Sequence, residues 1–83
     1  MEALLQHVVA NLVREPDQVR VTPPGNSQTG VWELRVAPSD FPRVIGRHGR
    51  TARALRVLLE GAQRRRVNLN IVDPEDDGSD IDG

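Results

Sequence analysis

The chain has 83 residues, no cysteine and a formal net charge of −1. This length suits a single compact domain, and the lack of cysteine excludes both disulfides and thiolate metal sites. It is also compatible with a reducing compartment, so we expect a cytoplasmic protein. No apolar run approaches the length needed to cross a membrane.

Charge is unevenly distributed along the chain. Six of the 12 acids lie in the last eleven residues, whereas the preceding 72 residues hold all 11 arginines against six acids, a balance of +5. Eight of those arginines fall between Arg43 and Arg66, where Glu60 is the only acid. This basic segment is suited to an anionic partner. Residues 74–83, which are acidic and poor in apolar side chains, are predicted to form a disordered tail; a further hypothesis is that the tail competes with an anionic ligand.

The hydrophobic pattern of the first half predicts a helix and two strands. Apolar residues recur on one face of a helix over residues 4–13, which Pro16 is expected to end. Alternation of apolar and polar residues predicts short strands at residues 18–22 and 32–36. The intervening segment 23–30 is rich in Pro, Gly, Asn and Ser, and is therefore predicted to be a hairpin loop between antiparallel strands.

The second half predicts two more helices and a third strand. A Pro-Ser-Asp sequence stops the second strand, and its Ser39 or Asp40 is expected to cap a short helix that runs into Gly46. Apolar residues three or four apart predict another helix over about residues 50–62, and alternation predicts a strand over residues 67–71. The crossover through two helices makes the second and third strands parallel, with the second in the middle. The predicted fold is α+β, in the order α-β-β-α-α-β, with a three-stranded mixed sheet and three helices on one face while the other face stays wet.

A short glycine motif lies between the last two predicted helices. Its sequence is Val44-Ile45-Gly46-Arg47-His48-Gly49-Arg50. A G-x-x-G turn in this position lets backbone amides and arginine side chains converge where a nucleic-acid phosphate can sit. The alternative is a plain connector in which Gly46 ends a helix with a left-handed cap.

The element order, with this turn between paired helices, resembles a type II KH (K-homology) domain. Short stretches elsewhere, namely Asn11-Leu12-Val13, Pro16-Asp17-Gln18-Val19, Glu33-Leu34-Arg35-Val36-Ala37-Pro38 and Gly49-Arg50-Thr51-Ala52, are similar to the KhpA family of small bacterial single-KH RNA-binding proteins. The resemblance covers residues 1–73, which we therefore expect to form the KH domain.

This resemblance implies a site that grips the backbone of about four unpaired nucleotides. The implied RNA-binding residues are Ile45, Gly46, Arg47, His48, Gly49, Arg50, Arg53, Arg64, Arg65 and Arg66. In this scheme the amides of residues 47–49 face a phosphate, Ile45 forms the floor of a groove, residues 64–66 form its other rim, and the third strand around residues 68–70 reads base edges. Arg43 and Arg56 are interpreted as surface residues.

The same resemblance implies how the protein acts. It indicates an RNA chaperone or post-transcriptional regulator, linked in the family to cell shape, that acts as a homodimer or with a larger KhpB-like partner. Pairing would raise the weak affinity of a single domain for RNA. The alternative is a protein–protein interaction module in which RNA binding is secondary. The sequence carries no nucleophile–base pair, metal-ligand cluster or G-x-x-x-x-G-K loop, so neither catalysis nor a cofactor is expected.

Trp32 admits two interpretations. Its indole ring has the chemistry to stack on a base. Its place in the alternating pattern of the second strand instead favours the core.

Overall fold

Within the residues that the structure describes, three α-helices and three strands make up the fold. The computed structural model describes residues 2–27 and 29–73, so the predicted disordered tail and its proposed competition with a ligand lie outside the described residues. The elements are α1 (Glu2–Ala10), β1 (Arg20–Thr22), β2 (Trp32–Arg35), α2 (Phe41–Ile45), α3 (Arg50–Gln63) and β3 (Leu69–Ile71). In this part of the chain, no helix is long and apolar enough to cross a bilayer.

The sheet has the predicted order and directions. Its strands run β1-β2-β3, with β1 antiparallel and β3 parallel to the central β2. Val21 lies opposite Leu34, and Leu34 lies opposite Ile71, so one row of apolar side chains crosses all three strands. The prediction of a mixed three-stranded sheet in an α-β-β-α-α-β chain is confirmed.

The core lies between the helices and one face of this sheet. It joins buried side chains from every helix to those of the sheet: Leu5, Val9, Val44, Leu55 and Leu59 pack with Val19, Trp32, Leu34 and Val36. Trp32 is only 5% exposed, which confirms its predicted place in the core. Because each helix contributes to this one cluster, all three helices cover the same face, as predicted.

The opposite face of the sheet, which was predicted to be solvent-exposed, is not exposed along its whole length. Arg20, Arg35 and Asn70 are exposed there as predicted, but Glu33 in the central strand is buried. The Thr29 hydroxyl donates a hydrogen bond of 2.9 Å to the Glu33 carboxylate. The loop between β1 and β2 therefore folds over this side chain, which alternation of residue types alone does not reveal.

Helix α1 is shorter than predicted, since it ends at Ala10 and not near Pro16. At its end the Leu12 N–H donates to the Val9 carbonyl at 2.9 Å, and the Asn11 side chain donates to the His7 carbonyl at 2.8 Å. These contacts tighten the last turn and satisfy a helix carbonyl that a further turn of helix would otherwise use. The backbone N–H groups of Arg14 and Glu15, which follow, donate to a side chain that is distant in sequence.

That partner is Asp40, whose predicted role as a helix cap is wrong. Asp40 is 1% exposed and makes no capping bond to α2. Its carboxylate instead accepts hydrogen bonds from the backbone N–H groups of Arg14 at 3.1 Å and Glu15 at 3.0 Å. The Arg14 N–H is the main cause that lowers the pKa of Asp40, with the Glu15 N–H and nearby Arg43 adding to it against the effect of burial. Asp40 thus ties the segment after α1 to the start of α2.

Replacing Asp40 by Asn should destabilise the protein at neutral pH. Asparagine keeps the shape but has one acceptor oxygen and no charge. Because folding lowers the pKa of Asp40, its stabilising contribution is present above the ordinary aspartate range and is lost as the pH falls through the lowered value. Urea unfolding followed by Trp32 fluorescence should therefore show a lower midpoint for Asp40→Asn at pH 7, and a difference that shrinks on acidification.

The control for this test is Asp17→Asn. Asp17 is exposed, and its side chain makes no hydrogen bond to the rest of the described chain. An Asp40→Asn protein as stable at pH 7 as the Asp17→Asn control would contradict the assigned role.

Candidate nucleic-acid interface

The turn between α2 and α3 begins at a backbone conformation that only glycine adopts readily. Gly46 has φ 78° and ψ 172°, a region that a Cβ atom makes unfavourable. Its N–H donates to the Pro42 carbonyl at 2.9 Å, which closes the last turn of α2. The chain then reverses into a single 3-10 turn, Arg47–Gly49, that leads directly into α3.

Gly46 is also required by packing. A Cβ atom built on it would lie 2.8 Å from both the backbone nitrogen and the Cβ of Thr51, and would overlap the Thr51 hydroxyl more severely. Real Cβ atoms essentially never make such contacts with backbone. The absence of a side chain at Gly46 therefore lets the start of α3 pack directly against the end of α2.

At Gly49 the backbone conformation favours glycine, but packing does not require it. It adopts the left-handed conformation, with φ 73° and ψ 18°, but a Cβ atom there would meet no other atom within 4 Å. His48 is also left-handed, with φ 58° and ψ 24°, a conformation that histidine adopts more readily than most residues. The open space around Gly49 matches a surface over which a ligand can approach the backbone.

The amides of the turn are not all available to a ligand. The Gly49 N–H donates to the Gly46 carbonyl at 3.2 Å, and the Arg50 N–H donates to the Arg47 carbonyl. The prediction that residues 47–49 all present amides is therefore wrong for Gly49, because the turn uses that amide itself. The amides of Arg47 and His48 remain as the candidates for a phosphate.

Three exposed arginines surround this turn. Arg47 lies within it, and Arg50 and Arg53 lie in the first turn of α3. Within residues 2–27 and 29–73 none of the three forms an ion pair, and the positive end of the α3 dipole lies beside them. The structure thus brings three predicted site residues together in a strongly cation-rich region.

Two other arginines of the basic segment are paired. Arg43 Nε lies 3.6 Å from Asp40 Oδ1, and Arg56 Nη1 donates to Glu60 Oε2 at 3.0 Å. Arg43 is 45% exposed, in agreement with its assignment to the surface. Arg56 is half-buried in a groove.

That groove lies between α3 and β3, and its lining includes Ile45, the residue before the glycine turn. It has a volume of about 260 Å³ and is lined by Ile45, Ala52, Arg53, Arg56, Leu69 and Ile71. The structure therefore joins the end of α2, the first two turns of α3 and the edge strand β3 around one concave surface. Ile45 lies in it as predicted, and its apolar neighbours come from β3.

Along β3, successive residues point their main-chain N–H and C=O groups alternately toward β2 and toward the outer edge of the sheet. The Asn68 carbonyl accepts from Trp32 N–H at 3.1 Å, and the Val72 N–H donates to the Leu34 carbonyl at 2.9 Å. In a parallel ladder, the residues between such positions point their N–H and C=O groups the other way. The main-chain groups of Leu69 and Ile71 therefore point away from β2, toward the outer edge.

The predicted role of residues 68–70 in base reading needs to be refined accordingly. Asn68 and Asn70 are exposed, and their side chains alternate with that of Leu69, which lines the groove. The polar groups that β3 offers at the groove edge are thus those of its backbone. The Asn70 side chain lies on the opposite face of the sheet.

Sequence reasoning missed Arg56 as a groove residue. The available signal was its helical spacing, because Arg56 lies three residues after Arg53 and four after Ala52, on the same face of α3. Arg64, Arg65 and Arg66, in contrast, are not brought to the glycine turn. They follow the end of the 14-residue α3, which places them about 20 Å from the turn along the helix axis.

The described part of the chain shows no arrangement suited to a metal ion. Residues 2–27 and 29–73 contain no group of three or more His, Asp or Glu side chains close enough to hold one. The chemistry that the groove offers is therefore cationic, apolar and hydrogen-bonding.

Alanine substitutions at the two turn glycines should have unequal costs. Gly49→Ala should lower the free energy of unfolding by about 1 to 2 kcal/mol, because only the left-handed backbone opposes it. Gly46→Ala should cost about 3 kcal/mol or more, since the Gly-only backbone region and the Thr51 overlap both oppose it. Equal losses of stability in urea titrations would contradict the packing described at Gly46.

Comparison with known proteins gives one consistent result. The family model of the KhpA/KhpB KH domain matches residues 2–73. A protein named RNA-binding protein KhpA from Leifsonia xyli subsp. xyli is 50% identical over 70 residues, which cover 83% of this chain and 92% of the relative. Proteins of the same name from Halalkalibacterium halodurans and Streptomyces coelicolor are 43% and 42% identical, and the matches cover 88% of this chain and 100% and 92% of the relatives. No solved structure matches significantly.

Proposed function

Since this chain belongs to the KhpA/KhpB family of KH domains, we propose that it is a non-catalytic protein that binds short single-stranded RNA in the groove between α3 and β3. The relatives are named for RNA binding and not for a reaction. The observation that carries the proposal is that Ile45, the residue before the glycine turn, lines one groove together with Arg53 and the β3 edge.

In this proposal the glycine turn holds the RNA backbone. A phosphate lies over Gly49, where no side chain obstructs it, and accepts hydrogen bonds from the amides of Arg47 and His48. The guanidinium groups of Arg47, Arg50 and Arg53 neutralise this phosphate and its neighbours. These contacts fix the position of the strand but carry no sequence information.

The bases lie along the groove. Their faces pack on Ile45, Leu69 and Ile71, and their edges reach the main-chain groups of Leu69 and Ile71 that point away from β2. Arg56 lies at the same surface and is held by Glu60, so its guanidinium position is defined before RNA arrives. Readout by backbone groups and apolar walls favours modest selectivity.

The affinity of one such domain should be low. Neutralising about three phosphates gives a slope of about −2 in a plot of log K against log salt concentration, from about −0.7 for each phosphate of a single strand. We therefore propose that the protein works in the cytoplasm as an RNA chaperone or post-transcriptional regulator, with a second RNA-binding domain supplied by a dimer or by a KhpB-like partner.

A negative charge at Gly49 should weaken RNA binding, whereas an uncharged residue of the same shape should not. Asp and Asn both tolerate the left-handed conformation, and a Cβ atom at this position meets open space. Gly49→Asp should weaken binding of a labelled random-sequence RNA tetranucleotide at least about tenfold relative to Gly49→Asn, because the carboxylate repels the phosphate. Fluorescence anisotropy at low salt measures the two affinities.

Circular dichroism should show the same helix content for both variants. The difference between them should shrink at high salt, since screening weakens an exposed charge. Equal RNA affinities for the Asp and Asn variants would contradict the placement of a phosphate over the turn.

Association between protein chains is the second candidate function. Helix α3 exposes two adjacent large apolar side chains outside the groove, Val57 at 53% and Leu58 at 39%. A second copy of the chain, or a KhpB-like partner, would cover these two side chains. The RNA groove would remain open in such an assembly.

Replacing both residues by glutamine should separate the two functions. The Val57→Gln/Leu58→Gln protein should sediment as a monomer at concentrations where the wild type dimerises, because the apolar surface that drives association is removed. Its affinity for an RNA tetranucleotide should be unchanged, as neither residue lines the groove. A monomeric wild type, or a variant that still dimerises, would contradict an interface at this position.

A further inference from the structure

The acidic tail, residues 74–83, follows directly on the strand that forms one wall of the groove. Ile71 ends β3 and lines the groove, and the described part of the chain ends two residues later, at Asp73. The Val72 N–H still donates to the Leu34 carbonyl at 2.9 Å, so the backbone stays on the sheet up to this point. The tail therefore starts at the end of the groove wall.

The tail carries negative charge only. It holds no basic residue, and five of its residues are acids, namely Glu75, Asp76, Asp77, Asp80 and Asp82. Like charges so close together repel one another, and a surface of arginines relieves that repulsion. The tail is therefore an anionic ligand that the chain itself supplies.

The first acids of the tail can reach the arginines beside the glycine turn. Glu75 and Asp76 lie four and five residues after Ile71, and a residue spans at most about 3.3 to 3.6 Å, which gives a reach of about 13 to 18 Å. Arg53 lines the same groove as Ile71. Because both side chains border one groove of about 260 Å³, Arg53 lies within this reach.

The arginines on this side of the molecule lack an internal anion. Arg47, Arg50 and Arg53 are exposed, and none of them forms an ion pair within residues 2–27 and 29–73. Asp40 and Glu60 are already bound to backbone amides and to other arginines. A carboxylate from the tail would meet the same guanidinium groups as an RNA phosphate, beside the same positive end of the α3 dipole.

Another pair of arginines lies on the opposite face of the sheet. Arg20 lies directly across from Arg35, and both are exposed, with no ion pair in the part of the chain that the structure describes. Glu33 is on the same face two residues before Arg35, and its carboxylate lowers the positive potential there. The turn has three arginines, a helix dipole and no acid between residues 43 and 59, so it attracts the tail more strongly.

We infer that the tail binds to Arg47, Arg50 and Arg53 of its own chain and thereby competes with RNA for the glycine turn. The competition rests on the proposed function, whereas the contact itself needs no RNA. Carboxylates of the tail replace phosphates at the guanidinium groups, so RNA has to displace them before it binds. Because the tail belongs to the same chain, its effective concentration at the turn is high, and only a ligand that makes more contacts displaces it.

The first test compares two double variants that remove the same charges. Glu75→Gln/Asp76→Asn neutralises two acids of the tail, and the control Glu2→Gln/Asp17→Asn neutralises an exposed glutamate and an exposed aspartate elsewhere. The tail variant should bind a labelled random-sequence RNA tetranucleotide about threefold or more tightly than the control, because contacts between exposed charges that oppose RNA binding are lost. Fluorescence anisotropy at low salt measures both affinities.

The second test locates the tail in the absence of RNA. Backbone amide signals of residues 47–53 should differ between the wild type and the Glu75→Gln/Asp76→Asn protein in NMR spectra, whereas those of Arg20 and Arg35 should coincide. The differences should be the same at low and high protein concentration, because the tail and the arginines belong to one chain.

Three results would overturn the inference. They are equal RNA affinities for the tail and control variants, signal differences at Arg20 and Arg35 in place of residues 47–53, or differences that grow with protein concentration, which indicate the tail of a second copy. The two Gly49 variants separate this failure from that of the proposed function. If Gly49→Asp binds RNA more weakly than Gly49→Asn while the tail and control variants bind alike, only the tail contact is wrong. If the Gly49 variants bind alike and the signals of residues 47–53 still differ, the contact stands and the groove proposal fails.

Discussion

The direction in which α3 leaves the turn is determined at Gly46, where a Gly-only backbone conformation coincides with direct packing against Thr51. This contact sets how the end of α2 meets the start of α3. It thereby decides that Ile45 and Arg53 lie on one concave surface and that the first turn of α3 faces the edge of β3. The glycine turn is thus a structural joint as well as a proposed phosphate site. Gly49 also has a left-handed backbone, but the open space around it leaves it without the packing constraint that applies at Gly46.

Two carboxylates have parallel roles in the electrostatics of the fold. The Asp40 carboxylate accepts hydrogen bonds from two backbone amides in the segment after α1, and the Glu60 carboxylate accepts one from the Val67 amide in the connection after α3. Each also holds one arginine, Arg43 or Arg56. Both have a lowered pKa, chiefly because an amide N–H stabilises the ionised form. These acids are therefore committed to structure, and within the part of the chain that the structure describes they leave most arginines of the basic segment without an ion pair. The positive potential available to an RNA backbone comes from these unpaired arginines.

The parts of the fold that depend on periodic burial were predictable from the sequence. Alternation located the three strands, spacing by three and four located α3, and the crossover rule ordered the sheet. Contacts between residues distant in sequence were not predictable. Asp40 stands in a capping position but binds amides 25 and 26 residues earlier, and α1 ends early because its following amides belong to that contact.

In the candidate site, too, local features were predictable from the sequence and contacts between distant residues were not. Local sequence located the glycine turn and the arginines beside it. It did not reveal that Arg56 lines the groove, since that depends on how α3 lies along β3. The separation of Arg64–Arg66 from the turn, in contrast, was already implied by the helix predicted over about residues 50–62. The prediction that the third strand reads base edges around residues 68–70 included both backbone and side-chain groups, because the sequence alone does not give the register that turns the backbone of Leu69 and Ile71 outward. Strand register, and not residue type, decides which groups of β3 face the groove.

The proposal that RNA lies in the groove between α3 and β3 is tested most directly by a titration of the isotopically labelled protein with an RNA tetranucleotide, observed by NMR. Backbone amide signals of Arg47, His48, Leu69 and Ile71 should shift together along one binding curve, while those of α1 and β1 should stay unchanged. Shifts confined to α1 and β1, with the turn and β3 unaffected, would contradict it.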